Sequence, residues 1–291
     1  MSYSTYQKVV KEQNITFTKL GNEECELCLS LSHQHTFQDH QQCDSSCDAC
    51  AEKKQHDRLV QEARKAYEQD GAFAEQGCIV RRADLQKVIM LPAIPGVKSV
   101  CFTRRIIAFH ETFAPVRAYN KTSHTISCVW HEAVAGRKAE EIASTFLTAI
   151  KQDRDERHVV YYVDNCTAQN KNWCVITSLT NQVNTSDISA ETITLKYPES
   201  GHTFMSADSV HAEVEKRMRQ VKNVYDFDDF CGCVKGRNID VVQMSETSFL
   251  NLEGLKSQPK LKRANCHLKS MRVIQFRRGE RKLFFKKKTV R

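Results

Sequence analysis

The sequence predicts an α/β protein: a mixed five-stranded sheet with flanking helices, a small Cys/His-rich module before it and a basic β-hairpin after it. Three observations predict this. Strand-like apolar runs alternate with helical periodicity from Cys78 to Val221. Five of the thirteen cysteines fall with four histidines in Cys25–His56. Fourteen Lys/Arg and one acid, Glu280, fall in Leu255–Arg291, so the rest of this +8 chain is net negative. Three regions are therefore expected, spanning residues 1–76, 77–230 and 231–291.

The 291 residues, 41% of them hydrophobic, suffice for one large domain or two ordinary ones. No run of about 18 apolar residues occurs, so no membrane span is expected. The polar start Met1–Val10 lacks the apolar core of a signal peptide. An intracellular, nuclear or nucleocytoplasmic setting follows as the expectation. There, cysteines are more often metal ligands than disulfides.

Tyr3, Tyr6, Val9 and Val10 suggest one or two helical turns, and Ile15 and Phe17 a short strand. Cys25-x-x-Cys28 and Cys47-x-x-Cys50 then have the spacing of a structural zinc site, each turn supplying two thiolates. Cys43 and His40 lie between the pairs as further candidate ligands, and free intracellular cysteines are the plainer reading. Few large apolar side chains occur here, so a Zn²⁺ ion would replace a core. Over Cys50–Gln76, Leu59, Ala63, Ala66 and Tyr67 form a helical stripe among charges.

Ile79–Leu91, Val97–Phe113 and His124–Trp130 read as three strands from their β-branched and aromatic content. Gly136–Ile150 is helical, with Ala139, Ile142, Ala143, Phe146, Leu147 and Ile150 on one face. Val159–Val163 (VVYYV) is a buried strand that stops at Asp164-Asn165. Gln169–Val183 is a helix, Glu191–Tyr197 alternates as a strand, and Ser206–Val221 closes as a helix. Strand, strand, strand, helix, strand, helix, strand, helix is the order of the ribonuclease-H-like fold.

Nucleases of that fold hold two divalent cations between carboxylates, one activating the attacking oxygen and one stabilising the leaving oxygen. The fold sets its first and fourth strands side by side. Asp84 lies on the first and Asp164 ends the fourth. The last helix offers Asp208 near its start and His211 one turn later, the latter for proton transfer or ligand orientation. Glu141, on the first helix of the core, is a further candidate. Mg²⁺ or Mn²⁺ is the expected catalytic cation. Each acid also has a plainer reading as a strand-edge or helix-surface group.

The stretches ADLQKVIMLP, VWHEAVAGRKAEEIAS, YYVDNCTAQNKNW and GHTFMSADSVHAEVEKRM carry a resemblance, and so do YDFDDF and VIQFRRGERKLFFKK. Together they resemble a group of transposable-element-derived animal proteins, abundant in insects and cnidarians, with a transposase-like ribonuclease-H domain and an N-terminal Cys/His zinc cluster. The resemblance covers nearly the whole chain. It implies DNA cleavage or strand transfer. Thr167-Ala168 stand where that group carries a Gly-Gly pair, which keeps open a catalytically inactive, domesticated zinc protein that binds nucleic acid. A third reading is a zinc-dependent protein-interaction module.

Asn165, Gln169, Asn170, Asn172 and Lys171 suit phosphate or sugar contacts, or equally a capped helix start. At the C-terminus Arg277, Arg278, Arg281, Lys282 and Lys286 lie on and around a hairpin with a Gly-containing connection, interleaved with Phe276, Phe284 and Phe285. Such a ribbon suits a nucleic-acid backbone, most readily DNA. A homo-oligomer is compatible with the pattern.

Overall fold

In the computed structural model the strands are β1 (Cys78–Leu85), β2 (Ile89–Leu91), β3 (Ile106–Pro115), β4 (Thr125–His131), β5 (His158–Tyr162), β6 (Thr192–Lys196), β7 (Ile239–Gln243), β8 (Met271–Arg277) and β9 (Phe284–Lys287). The helices are α1 (Glu26–Gln34), α2 (Asp48–Ala72), α3 (Lys98–Phe102), α4 (Ala139–Gln152), α5 (Trp173–Gln182), α6 (Ser206–Val221) and α7 (Phe227–Val234). The structure describes residues 25–34, 47–72, 77–116, 124–199, 201–202, 206–252 and 267–287, with Thr5, Val9 and Glu12. The turns expected around Tyr3 and Tyr6, the strand at Ile15–Phe17, and the candidate ligands His40 and Cys43 lie outside the described residues. The chain divides into two units, Met1–Lys54 and Gln55–Arg291.

All nine strands belong to one mixed sheet, ordered β7-β4-β3-β1-β5-β6-β8-β9, with β2 paired to β3. The five expected strands are its middle, β4-β3-β1-β5-β6. Neighbours are antiparallel from β4 to β1 and parallel from β1 to β6. The expectation of five strands is corrected to nine among the described residues. β7 adds parallel to β4, and the β8–β9 hairpin adds antiparallel to β6. An open sheet edge offers unpaired N–H and C=O groups to such additions. The hairpin also has an apolar face, Met271, Ile274 and Phe276, which is buried there. Two local expectations also shift. The run Ile79–Leu91 breaks into β1 and β2, and Lys98–Phe102 is a short helix before β3 begins at Ile106.

Side-chain alternation gives the sheet two packed faces. Ala83, Phe113, Val159, Tyr161 and Ile193 point to the side covered by α4 and α5. Helix α4 buries Ile142, Ala143, Phe146, Leu147 and Ile150, the stripe its spacing predicts. On the opposite face Ala108 and Val129 meet Val214 of α6 and Phe230 of α7. Arg81 ties β1 to the end of α4: its Nε and Nη2 donate to Asp153 Oδ2 and Oδ1 at 2.7 Å each. Its Nη1 donates to the carbonyls of His124 (2.6 Å) and Phe113 (3.2 Å).

In the first unit Cys25 directly precedes α1, and Leu31 is that helix's buried apolar residue. Cys47 directly precedes α2, whose first turn carries Cys50.

Candidate metal and acid site

Asp84 sits one residue before the end of β1 and pairs in register with Thr112. Glu111 of β3 pairs with Leu85 and, by alternation, shares the sheet face of Phe109 and Phe113. Glu111 is buried, and neither carboxylate oxygen has a hydrogen-bond partner among the described residues. Burial, then the charges of Asp84 and Asp164, push its pKa well above the usual carboxylate range, with Arg82 opposing. Asp84 and Asp164 are thus both electrical neighbours of one buried carboxyl group.

Helix α6 lays His211 against Asp84, with Nδ1 3.6 Å from Asp84 Oδ2. Burial lowers the His211 pKa to about 4, outweighing Asp208 and Glu215, which raise it. Asp208, in the first turn of α6, joins the group electrostatically through His211. A buried polar chain lies behind. His211 Nε2 is 3.0 Å from Thr112 Oγ1, which is 2.9 Å from His110 Nε2. Ser127 Oγ lies 2.9 Å from that same nitrogen, and His110 Nδ1 is 2.8 Å from Gln86 Oε1. Full burial, then His211, holds the His110 pKa at about 3.

The block after β5 fixes Asp164. Its Oδ1 accepts from the Cys166 backbone N–H (3.0 Å) and from Asn170 Nδ2 (2.5 Å). Asn172 caps α5 by accepting from the Val175 N–H at 3.1 Å. Lys171 is buried: its Nζ donates to Asn165 Oδ1 (2.8 Å) and lies 4.5 Å over the Tyr197 ring. Lys171 therefore holds this loop. Glu141 stands in the first turn of α4, with Oε2 buried and without a hydrogen-bond partner among the described residues. Asp84, Asp164, Asp208 and His211 are linked through Glu111 and His211, whereas Glu141 is placed beside Gly136. Sequence reasoning missed Glu111 together with Gln86, His110 and Thr112. The available signal was a carboxylate inside the apolar strand run IIAFHETFAP, where an acid is rarely buried without a task.

The thiol-bearing first unit has its own electrostatics. Burial and then Cys25 raise the Cys28 thiol pKa, while Lys53, with Nζ 3.5 Å from Cys28 Sγ, opposes this. Such thiols ionise on binding a metal. In the second unit His56 and His202 face each other, their Nε2 atoms 2.8 Å apart. Cys25 and Cys28 in the first unit, and His56 and His202 in the second, are thiol and imidazole donors of the kinds a metal such as zinc takes.

The basic residues divide into two kinds. Arg278, though exposed, is tied to the backbone, donating to the carbonyls of Ala190 (2.9 Å), Thr185 (2.8 Å) and Ile188 (2.6 Å). Arg281, Lys282 and Lys286 are exposed. Arg277 stacks 3.9 Å over Phe284 and donates to Gln275 Oε1 at 2.8 Å. With Lys196, Gln275, Phe285 and Lys286 they line a groove of about 500 Å³ on the sheet face.

Fold and site define a mixed α/β protein with acids and a histidine gathered near the end of β1, and with thiol and imidazole donors of the kinds a metal takes. Compared with protein-family models, curated proteins and solved structures, the chain shows no significant match to any. No helix among the described residues is long and apolar enough to cross a membrane.

Proposed function

We propose that this protein is a metal-dependent phosphodiester-processing protein of ribonuclease-H-like type, acting on DNA by cleavage or strand transfer. The strand order β4-β3-β1-β5-β6, antiparallel then parallel, supports the fold reading. The observation that carries the activity is Glu111: a buried carboxyl group with no hydrogen-bond partner among the described residues, whose charged neighbours are two acids, Asp84 and Asp164, and one cation, Arg82. A concentration of negative charge in so dry a site is stable with a cation and costly without one.

Mg²⁺ or Mn²⁺ there would supply Lewis-acid stabilisation of the leaving oxygen and an acidified water. Asp84 and Asp164 would hold it. Cys166 N–H and Asn170 fix Asp164 through Oδ1 alone, which orients the carboxylate and leaves Oδ2 for a ligand. His211 is neutral at pH 7, so its imidazole can orient a ligand beside Asp84. Arg281, Lys282 and Lys286 would draw the phosphate backbone toward the sheet edge in a salt-dependent way. Zn²⁺ on the Cys25–Cys28 pair of the first unit would be structural. Metal analysis of purified protein should find zinc that Cys25→Ser with Cys28→Ser removes.

The activity test is nicking of supercoiled plasmid in Mn²⁺. Asp164→Ala should abolish nicking, a loss of at least about 100-fold, while melting stays cooperative. Nicking that survives this change overturns the assignment. The stacked Arg277–Phe284 pair favours one second reading, a domesticated nucleic-acid-binding protein without chemistry. It predicts salt-sensitive DNA binding with no nicking by the wild type.

A further inference from the structure

Asp84 and His211 come from different elements and meet at one end of the sheet. Their facing atoms, Oδ2 and Nδ1, are 3.6 Å apart. That is too long for a hydrogen bond. Adjacent ligands of an octahedral cation lie about 3 Å apart, so these two atoms would close by roughly half an ångström around one ion. Glu111, fully buried with neither oxygen partnered among the described residues, lies at the same ends of β1 and β3 but on the other sheet face, and its charged neighbours are Asp84, Asp164 and Arg82.

The proton positions behind His211 allow such a ligand. Gln86 Oε1 can only accept, so His110 carries its proton on Nδ1 and leaves Nε2 bare. Gln86 Nε2 faces the His211 carbonyl at 3.5 Å, which sets that amide's orientation. The Thr112 hydroxyl can donate to His110 Nε2 at 2.9 Å and accept from His211 Nε2–H at 3.0 Å. Every proton then has an acceptor, and His211 Nδ1 presents a bare lone pair toward Asp84. In the alternative arrangement Ser127 serves His110, the Thr112 hydroxyl turns to His211, and the His211 proton moves to Nδ1. The two states differ in the directions of the Thr112 and Ser127 hydroxyls and in the tautomer of His211. Only the first admits a metal, because an imidazole ligand needs a bare nitrogen and a partner for its other N–H.

We propose that Asp84 Oδ2 and His211 Nδ1 are ligands of one divalent cation, with Thr112, His110 and Gln86 as positioning residues that hold the required His211 tautomer. A mixed imidazole–carboxylate set suits Mn²⁺ better than Mg²⁺, a harder ion that keeps oxygen ligands and water. This deepens the metal-dependent reading above and concerns binding, not cleavage.

Full-length, zinc-loaded protein is titrated with Mn²⁺ and with Mg²⁺, and bound Mn²⁺ is examined by pulsed electron paramagnetic resonance for directly coordinated ¹⁴N. The expected result is Mn²⁺ binding at least about 10-fold tighter than Mg²⁺, with one nitrogen coupling that His211→Gln removes. Thr112→Val, nearly isosteric, should keep the melting transition and the coupling but weaken Mn²⁺ by about 10-fold. Mn²⁺ bound through oxygen alone, a coupling that persists in His211→Gln, or Mg²⁺ bound as tightly overturns the proposal. Asp164-dependent nicking with oxygen-only Mn²⁺ sinks this ligand set and keeps the nuclease. Nitrogen coupling without nicking does the reverse.

Discussion

Arg81 and Glu111 are ionisable groups on adjacent strands, both almost sealed from solvent, and they are treated in opposite ways. Every side of the Arg81 guanidinium has a partner: both Asp153 oxygens and the carbonyls of Phe113 and His124. Burial would lower its pKa, but Asp153 outweighs that and the group stays charged. Glu111 has no partner for either oxygen among the described residues, and its charged neighbours include two more acids. A satisfied buried charge joins β1 to α4 and needs nothing further. An unsatisfied one is costly to the isolated fold, and such sites cluster where a ligand completes them.

The comparison breaks first at Arg81. Arg81→Met leaves Asp153 buried without its cation, which costs about 3–5 kcal/mol of stability in urea unfolding. A loss under about 1 kcal/mol would mean the pair is not the anchor its geometry describes.

Acid comes next. His110 and His211 are neutral when folded, with pKa values of about 3 and about 4, below the ordinary 6.5. The unfolded chain therefore binds their protons first. Their stabilisation is complete above pH 6.5 and is lost as pH falls toward 4 and then 3, on the order of 2 kcal/mol each. Glu111 works the other way. Its raised pKa makes the folded state lose stability as pH rises above about 4.5, the ordinary carboxylate value. Glu111→Gln should thus raise the melting temperature at pH 8 in metal-free protein, by about 1–2 kcal/mol in stability, and should steepen the loss between pH 7 and pH 4.5. A variant less stable than wild type at pH 8 would show that Glu111 has a partner in solution.

The smallest expected effect separates loop order from pocket chemistry. Asn172→Ala removes the α5 cap and should cost about 1 kcal/mol. Its Mn²⁺ affinity should stay within about twofold of wild type, because Asp164 keeps its bonds to Cys166 and Asn170.

Asp164 and Asp84 were readable as site candidates because a carboxylate at the end of an apolar strand run stands out locally. Lys171 and Arg278 read as nucleic-acid contacts because local sequence records charge but not direction. Folding buries Lys171 on Asn165 and ties the exposed Arg278 to three carbonyls. The hairpin likewise read as a separate extension, since nothing in its own residues names β6 as the edge it will extend.

Periodicity and turn chemistry act over a few residues, so the order of strands and helices, the α4 stripe and the paired cysteines were legible along the chain. Partners more than about twenty residues apart were not. The charge influence of Asp84 and Asp164 on Glu111, and Thr112 bridging His110 to His211, exist because β1, β3, β5 and α6 pack together. Burial and charge proximity are properties of that packing, and no short stretch of residues encodes them.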